Sequence, residues 1–263
     1  MVNNAGTMGD FSDRRGIALV TGGSGGIGAA ICRLMAARGA DVVLTYNRNA
    51  EAAARVVRDV EALGRTVRAE QIDLVDARAA RELVERLVNR FGAVHSVILA
   101  SGPHVPQIHL SRVDVGEMRE RLEQEAGAAF NLLSPALPTL RDAHGAIVAV
   151  TTAATRRYPV RDGLSAVPKA AVEMLIRAIA AEEGRFGVRA NCVGPGMLTD
   201  GMAARLISSG DLDEAALQAA TRNIALRRFG TAQDVAEAVA FLASDRAGFI
   251  TGQLLAVDGG FGV

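Results

Sequence analysis

The chain alternates short apolar runs with stretches whose apolar residues recur at helical spacing. The first run, GIALVTG at 16–22, stops at glycines, and the following AAICRLMAARG ends at Gly39. The same order recurs, with further apolar runs that begin near residues 41, 66, 95, 145, 188 and 254. Continuous apolar strands separated by amphipathic helices are typical of a parallel sheet covered on both faces. The pattern therefore predicts an α/β domain with a doubly wound parallel sheet of about seven strands.

The domain organisation follows from length and from the uniformity of this pattern. The chain has 263 residues, of which 49% are apolar, and this supports one large core. No proline- or serine-rich linker and no change of pattern divides it. The polar opening MVNNAGTMGDFSDRRG predicts a flexible N-terminal tail over residues 1–14, followed by a single domain over 15–263.

Composition excludes several classes of function. Lys and Arg total 29 and so do Asp and Glu, so no net field attracts nucleic acid or anionic lipid. No segment approaches the roughly 18 continuous apolar residues of a membrane helix, and the start lacks a signal-peptide core. Cys32 and Cys192 are too few for a disulfide framework and are not spaced as metal ligands. We expect a cytoplasmic protein with reduced thiols, no bound metal, no nucleic-acid partner and no membrane partner.

A glycine-rich turn carries the most specific chemistry. In TGGSGGIGAA, Gly22, Gly26 and Gly28 follow a strand and open a helix. Missing side chains there let backbone N–H groups and the helix N-terminus approach a pyrophosphate. The alternative is a tight strand-to-helix turn that binds no ligand.

The order of the motifs resembles that of the short-chain dehydrogenase/reductase family over residues 16–260. TGGSGGIG matches TGxxxGxG, IDL at 72–74 matches the adenine-side aspartate, and NCVGPGMLT and ITGQLLAVDGG resemble the segments at the sixth and last strands. The resemblance implies a Rossmann-type fold and a nicotinamide-dependent oxidoreductase. It also implies a cofactor site formed by Gly22, Ser24, Gly26, Ile27, Gly28, Asn47, Arg48, Asp73, Leu74, Ala100, Gly102, Lys169, Pro195, Gly196 and Thr199.

The end of the second strand indicates which nicotinamide cofactor is used. An NAD site usually has an acidic residue there to hold the ribose hydroxyls, whereas the 2′-phosphate of NADP needs a cation. This chain has TYNRN, with Asn47 and Arg48 and no acid. The sequence therefore predicts NADP with Arg48 as the phosphate partner. NAD remains an alternative, in which Arg48 is only a solvated loop residue.

The positions that correspond to the family's catalytic residues are altered. The resemblance implies a lysine at Lys169, a tyrosine four residues before it, a serine thirteen residues before the tyrosine, and an asparagine in the long fourth helix. This chain has Ser165, Thr152 and Glu125 at the last three positions. Thr152 keeps a hydroxyl that can polarise a substrate oxygen. An aliphatic alcohol at 165 is too weak an acid and too short to replace a phenol, and losing a general acid costs about 10²- to 10⁴-fold in rate.

Tyr158 is one candidate for a replacement proton donor. It lies eleven residues before Lys169, in a loop that would border the active site. Some enoyl reductases of this superfamily place their tyrosine upstream of the lysine at a shorter interval, which is occupied here by Asp162. A packed loop residue is the alternative role of Tyr158.

Three other side chains are further candidates. His104 and His109 follow the fourth strand, where the family often contacts substrate, and histidine titrates in a useful range. Both fit equally well as polar loop residues. Glu125 either pairs with Lys169 as a structural residue or serves as an acid, and the sequence does not choose between these.

Two functional hypotheses remain. The first is an atypical NADP-dependent oxidoreductase that reduces a carbonyl or a conjugated enone or enoyl substrate with a non-standard proton donor. The second is a catalytically idle relative that retains dinucleotide binding for regulation or assembly.

The resemblance also implies partners. The family assembles as dimers or tetramers, which assigns the helical stretches at 115–140 and 165–183 to a homo-oligomer interface. The segment at 199–228 would be the substrate lid, and its Ala, Leu and Met content predicts an apolar small-molecule substrate.

Overall fold

The computed structural model describes residues 9–199, 218 and 221–263. Seven strands form one sheet, and every predicted apolar run contributes one of them. In chain order the strands are β1 (Ile17–Thr21), β2 (Val42–Tyr46), β3 (Val67–Gln71), β4 (Val94–Leu99), β5 (Ala146–Val150), β6 (Arg189–Pro195) and β7 (Leu254–Val257).

Helices connect the strands and cover both faces of the sheet. They are α1 (Gly26–Ala37), α2 (Ala50–Glu61), α3 (Ala77–Phe91), α4 (Val115–Leu122), α5 (Ala128–Asp142), α6 (Gly163–Glu183) and α7 (Ala232–Ala243). A π-helical segment, Glu123–Gly127, joins α4 to α5, so the long helix predicted from about residue 115 is continuous. Within the described ranges no helix is long and apolar enough to cross a membrane.

The sheet is parallel throughout, in the order β3-β2-β1-β4-β5-β6-β7. The chain proceeds outward from β1 to β3, then returns to the other side of β1 with β4. The prediction of a doubly wound, Rossmann-type sheet is confirmed. A reversal of this kind opens a crevice at the carboxyl ends of the two central strands.

Two apolar layers hold the helices on the sheet. Alternate residues of each central strand point to opposite faces, so that Ala18 and Val20 enter the layer under α1 and α7 while Ile17 and Leu19 enter the layer under α3, α5 and α6. Both cysteines are free and buried. Burial, helped by the negative charge of Glu173, raises the pKa of the Cys192 thiol to about 12.

The N-terminal segment is ordered further than the sequence indicated. Residues 9–14 belong to the predicted tail, yet Phe11 is 1% exposed and stacks on the His95 ring with centroids 6.0 Å apart. The Phe11 N–H donates to the carbonyl oxygen of Arg38, and Asp10 pairs with the Arg38 guanidinium. Burial lowers the pKa of His95 to about 3, which keeps the ring neutral against Phe11. Residues 9–14 are therefore part of the domain, and the rest of the predicted tail lies outside the described residues.

Pro168 lies further from the start of its helix than the first-turn preference of proline predicts. Proline is best tolerated in a first turn, which favours a helix that begins near Leu164 or Ser165. The helix begins at Gly163, close to this prediction, but Pro168 then lies in the second turn. Its missing N–H leaves the Leu164 carbonyl without the usual helical donor.

The packing of Phe11 generates a stability prediction. Phe11→Ala should lower the free energy of unfolding by about 3–5 kcal/mol, because it leaves a cavity beside His95. Phe249→Ala is the control, since Phe249 is fully exposed and its removal should change stability by less than about 0.5 kcal/mol. Urea unfolding followed by circular dichroism would measure both, and equal midpoints for the two variants would contradict the burial of Phe11.

Candidate functional site

The site lies at the carboxyl ends of β1 and β4, where the strand order reverses. The Thr21 hydroxyl accepts from the backbone N–H of Ala100 at 3.0 Å and contacts the Ser101 hydroxyl at 3.0 Å. Gly22, with φ +63, lies so close to the loop after β4 that a Cβ on it would be 2.8 Å from the Ala100 carbonyl oxygen. These contacts bring the glycine-rich turn and the loop after β4 together at one edge of the sheet.

The glycine-rich turn presents a bare helix N-terminus. Gly25 caps α1 without a side-chain hydrogen bond, and Gly25 and Gly26 are exposed. Ser24 and Ile27 are partly exposed beside them. A Cβ at Gly28 would lie 2.2 Å from the Gly22 carbonyl oxygen, so only glycine allows this tight turn. The open N–H groups and the helix dipole suit an anionic pyrophosphate.

The predicted adenosine side of the site lies at the ends of β2 and β3. Asn47 and Arg48 follow β2 and are exposed, and Arg48 forms no ion pair with any described residue. Asp73 follows β3, where its carboxylate accepts from the Val75 N–H at 3.1 Å, and Leu74 is partly buried beside it. These residues suit a dinucleotide. The Arg48 guanidinium, unpaired among the described residues, lies where the resemblance places the adenosine ribose, and no carboxylate follows β2 there.

Lys169 is held by Glu125. The Lys169 ammonium donates a hydrogen bond to Glu125 Oε1, and the two side chains are only 16% and 8% exposed. A Cβ at Gly102 would be 3.0 Å from Glu125 Oε1 and 3.3 Å from Lys169 Nζ. The pair therefore lies directly against the loop after β4, and Glu125 sits on the π-helical segment that interrupts the long helix. Such segments often occur at functional sites.

No tyrosine hydroxyl forms a hydrogen bond with Lys169 among the described residues. Ser165 lies one turn before Lys169 on α6 and is partly exposed. Tyr158 lies on the loop before α6, is 49% exposed, and forms no hydrogen bond within the described residues. The other tyrosine, Tyr46, ends β2.

Thr152 projects from the turn after β5. Its Oγ1 accepts from the Ala154 N–H at 3.2 Å, which leaves the hydroxyl proton to be donated elsewhere. The turn packs against β6, because a Cβ at Gly194 would lie 3.2 Å from the Thr152 carbonyl carbon. Thr152 is partly exposed and can donate to a substrate oxygen.

The loops around the lysine bring Asp162 close to the site. Gln107 donates to Asp162 Oδ1 at 2.8 Å. Burial raises the pKa of Asp162 above its ordinary value, although the Gln107 hydrogen bond and the Lys169 charge oppose the shift. His109 accepts from Arg161 at 3.3 Å, and both are exposed. Arg161 has φ +78, a strained conformation for a residue with a side chain.

The segment after β6 forms the remaining wall. Pro195 ends β6 and is buried, and the Gly196 N–H donates to the Val257 carbonyl at 3.0 Å. Thr199 is exposed, and its hydroxyl donates to the Gly230 carbonyl at 3.3 Å. Of the predicted lid at 199–228, residues 200–217, 219 and 220 lie outside the described residues.

One buried acid beside the site was missed from the sequence. Glu173 is 6% exposed and accepts hydrogen bonds from Thr151 and Thr155 on either side of Thr152. Its spacing was a usable signal, because Ser165, Lys169 and Glu173 recur every fourth residue and so share one helix face. His104, by contrast, is exposed on the loop after β4 with no hydrogen bond among the described residues.

The fold and the glycine-rich turn are those of a Rossmann-type α/β domain. A family model described as enoyl-(acyl carrier protein) reductase matches residues 22–262. The chain belongs to the short-chain dehydrogenase/reductase family of oxidoreductases.

Two curated relatives and one solved structure illustrate the similarity. The chain is 32% identical to a 1-cyclohexenylcarbonyl-CoA reductase of Streptomyces collinus over 96% of this chain and 89% of the relative. It is 32% identical to the 3-oxoacyl-[acyl-carrier-protein] reductase FabG of Staphylococcus epidermidis over 92% of this chain and 97% of the relative. A blue fluorescent protein from a metagenomic library, solved in complex with NADPH, superposes with a TM-score of 0.85 at 31% identity, covering 97% of this chain and all of that one.

Proposed function

We propose that this protein is an NADP-dependent reductase that adds hydrogen across the conjugated double bond of an apolar enoyl thioester. The observation that carries the proposal is the pairing of Lys169 with Glu125. It is supported by Ser165, which lies at the position that the family resemblance assigns to a tyrosine. The family model and the Streptomyces collinus relative, described as an enoyl reductase and a cyclohexenylcarbonyl-CoA reductase, support this substrate class.

The chemistry of a conjugated thioester suits a site without a phenol. Bound NADPH would supply the hydride that adds to the β-carbon. Reduction of a ketone puts negative charge on an alkoxide, which needs a proton donor of matched acidity. In an enoyl thioester the charge spreads between the thioester oxygen and the α-carbon, so oxygen needs only hydrogen-bond stabilisation and carbon takes the proton afterwards.

The side chains of the site have separate roles in the proposed reaction. The Thr152 hydroxyl would donate a hydrogen bond to the thioester oxygen as charge develops on it. Lys169, held by Glu125, would orient the cofactor ribose and keep a positive charge near the reacting centre. The proton would come from a water molecule that hydrogen-bonds Ser165 and Lys169 in the space of the missing ring.

The preference for NADP rests on the end of β2. Arg48 is exposed there without a carboxylate partner among the described residues, and Asn47 replaces the acid that would repel a 2′-phosphate. Charge-assisted hydrogen bonds from a guanidinium to a phosphate are stronger than neutral ones.

A homo-oligomer is also part of the proposal. Phe130 on α5 and Val167 and Met174 on α6 are 55%, 43% and 59% exposed. These helices are the ones that the family resemblance assigns to an interface, and burying their apolar side chains between copies would remove them from water.

The cofactor proposal is tested by nucleotide titration. Arg48→Ala should weaken NADPH binding by about tenfold or more, because a charge-assisted hydrogen bond contributes roughly 1.5–3 kcal/mol. NADH binding should change little. Arg90→Ala is a matched control, because Arg90 is exposed near the C-terminal end of α3, at the opposite edge of the sheet. Nicotinamide fluorescence measures all affinities, and an equal loss for NADPH and NADH would contradict the role of Arg48.

The proton-donor proposal is tested at position 165. Ser165→Tyr restores a phenol four residues before Lys169 and should raise the reduction of a 3-oxoacyl thioester by about 10²-fold or more. Ser165→Ala removes the hydroxyl alone and should lower enoyl thioester reduction without creating ketone reduction. NADPH oxidation at 340 nm reports both rates. If Ser165→Tyr gained no ketone reduction, Ser165 would not occupy the position of the missing acid.

A further inference from the structure

Glu173 is a buried acid that the proposed reaction does not use. It lies on α6 one turn beyond Lys169 and is 6% exposed. It forms no ion pair within the described ranges, and its side-chain contacts there are hydrogen bonds from two threonines. Burying a carboxylate in this way is unfavourable, and a well-packed apolar residue is usually at least as stable in such a position. Stability alone therefore does not account for an acid at this position.

Both hydrogen bonds to Glu173 come from the turn that carries Thr152. Thr151 donates to Glu173 Oε1 at 2.9 Å and Thr155 donates to the same oxygen at 2.8 Å. The two donors are the residue just before Thr152 and the residue three positions after it. Glu173 therefore holds the turn at both ends against the helix that carries Lys169.

Each hydroxyl also has a second acceptor on the backbone. Thr151 lies 3.4 Å from the Val193 carbonyl oxygen, and Thr155 lies 3.1 Å from the Thr152 carbonyl oxygen. Hydrogen bonds to a carboxylate are shorter and stronger than those to a carbonyl. Without Glu173 the two hydroxyls would keep these local carbonyl acceptors, so the turn would lose its hydrogen bonds to α6 without being left with unpaired groups.

We propose that Glu173 is a positioning residue that fixes the Thr152 hydroxyl relative to Lys169. The inference rests on the proposed function, because Thr152 is the group that would stabilise charge on the substrate oxygen. Glu173 and Lys169 lie four residues apart on one rigid helix, so clamping the turn to Glu173 sets the distance from the Thr152 hydroxyl to the lysine. Misplacement of such a group by about 1 Å can reduce a rate by about 10²-fold.

The decisive comparison uses two buried glutamates of the same helix. Glu173→Ala should lower kcat for an enoyl thioester by about tenfold or more, with NADPH affinity unchanged. Glu173→Gln should restore most of kcat, because its amide oxygen still accepts from both threonines. Glu183→Ala is the control, since Glu183 is equally buried but pairs with Arg141 at the far end of α6. It should lower thermal stability and leave kcat close to that of the wild type.

A second readout does not need turnover. Hydrogen–deuterium exchange of the backbone over residues 150–157 should speed up in Glu173→Ala and stay at the wild-type rate in Glu173→Gln and Glu183→Ala. Unchanged exchange in Glu173→Ala, or an equal loss of kcat in Glu173→Ala and Glu183→Ala, would overturn the inference. A wild-type protein that reduces no thioester would instead contradict the proposed function, and the exchange rates would still decide whether Glu173 holds the turn.

Discussion

The ion pair between Lys169 and Glu125 is the contact around which the site is arranged. Both side chains are largely buried, and a buried charge that loses its partner is strongly destabilising. The pair joins α6 to the π-helical segment after α4 and lies against Gly102 in the loop after β4. On α6, Ser165 lies one turn before the lysine and Glu173 lies one turn after it. Glu173 holds the turn that carries Thr152 against the same helix.

This arrangement changes what the site can do chemically. A family site with a phenol next to lysine can protonate an alkoxide, whereas a serine hydroxyl cannot be tuned to that acidity by a neighbouring cation. In the proposed reaction Lys169 supplies a cation, Thr152 supplies a hydroxyl, and water supplies the proton. Those groups suit charge that is spread by conjugation and protonated at carbon, and this is why the proposed substrate is an enoyl thioester.

The sequence predicted the sheet well because buried parallel strands are continuous apolar runs, and the glycine-rich turn because few residues other than glycine fit it. The sequence did not predict features that depend on contacts between residues far apart in the chain. Phe11 is one aromatic residue in a polar stretch, and only the surface formed by Arg38 and His95 makes it part of the core. The sequence left two roles open for Glu125, and the structure adds the contact with Lys169, which joins residues 44 positions apart in the chain. The hydrogen bonds of Glu173 come from a turn about 20 residues away, beyond the reach of local patterns.

The most direct test of the proposed reaction is to determine which carbon of the product receives the proton from solvent. Wild-type protein, NADPH and a 2-enoyl thioester would be incubated in D2O, and the product analysed by mass spectrometry and NMR. The account predicts one deuterium, bound at the α-carbon, with hydrogen from the cofactor at the β-carbon. An absence of enoyl reduction, together with reduction of a 3-oxoacyl thioester to an alcohol by the same protein, would contradict it.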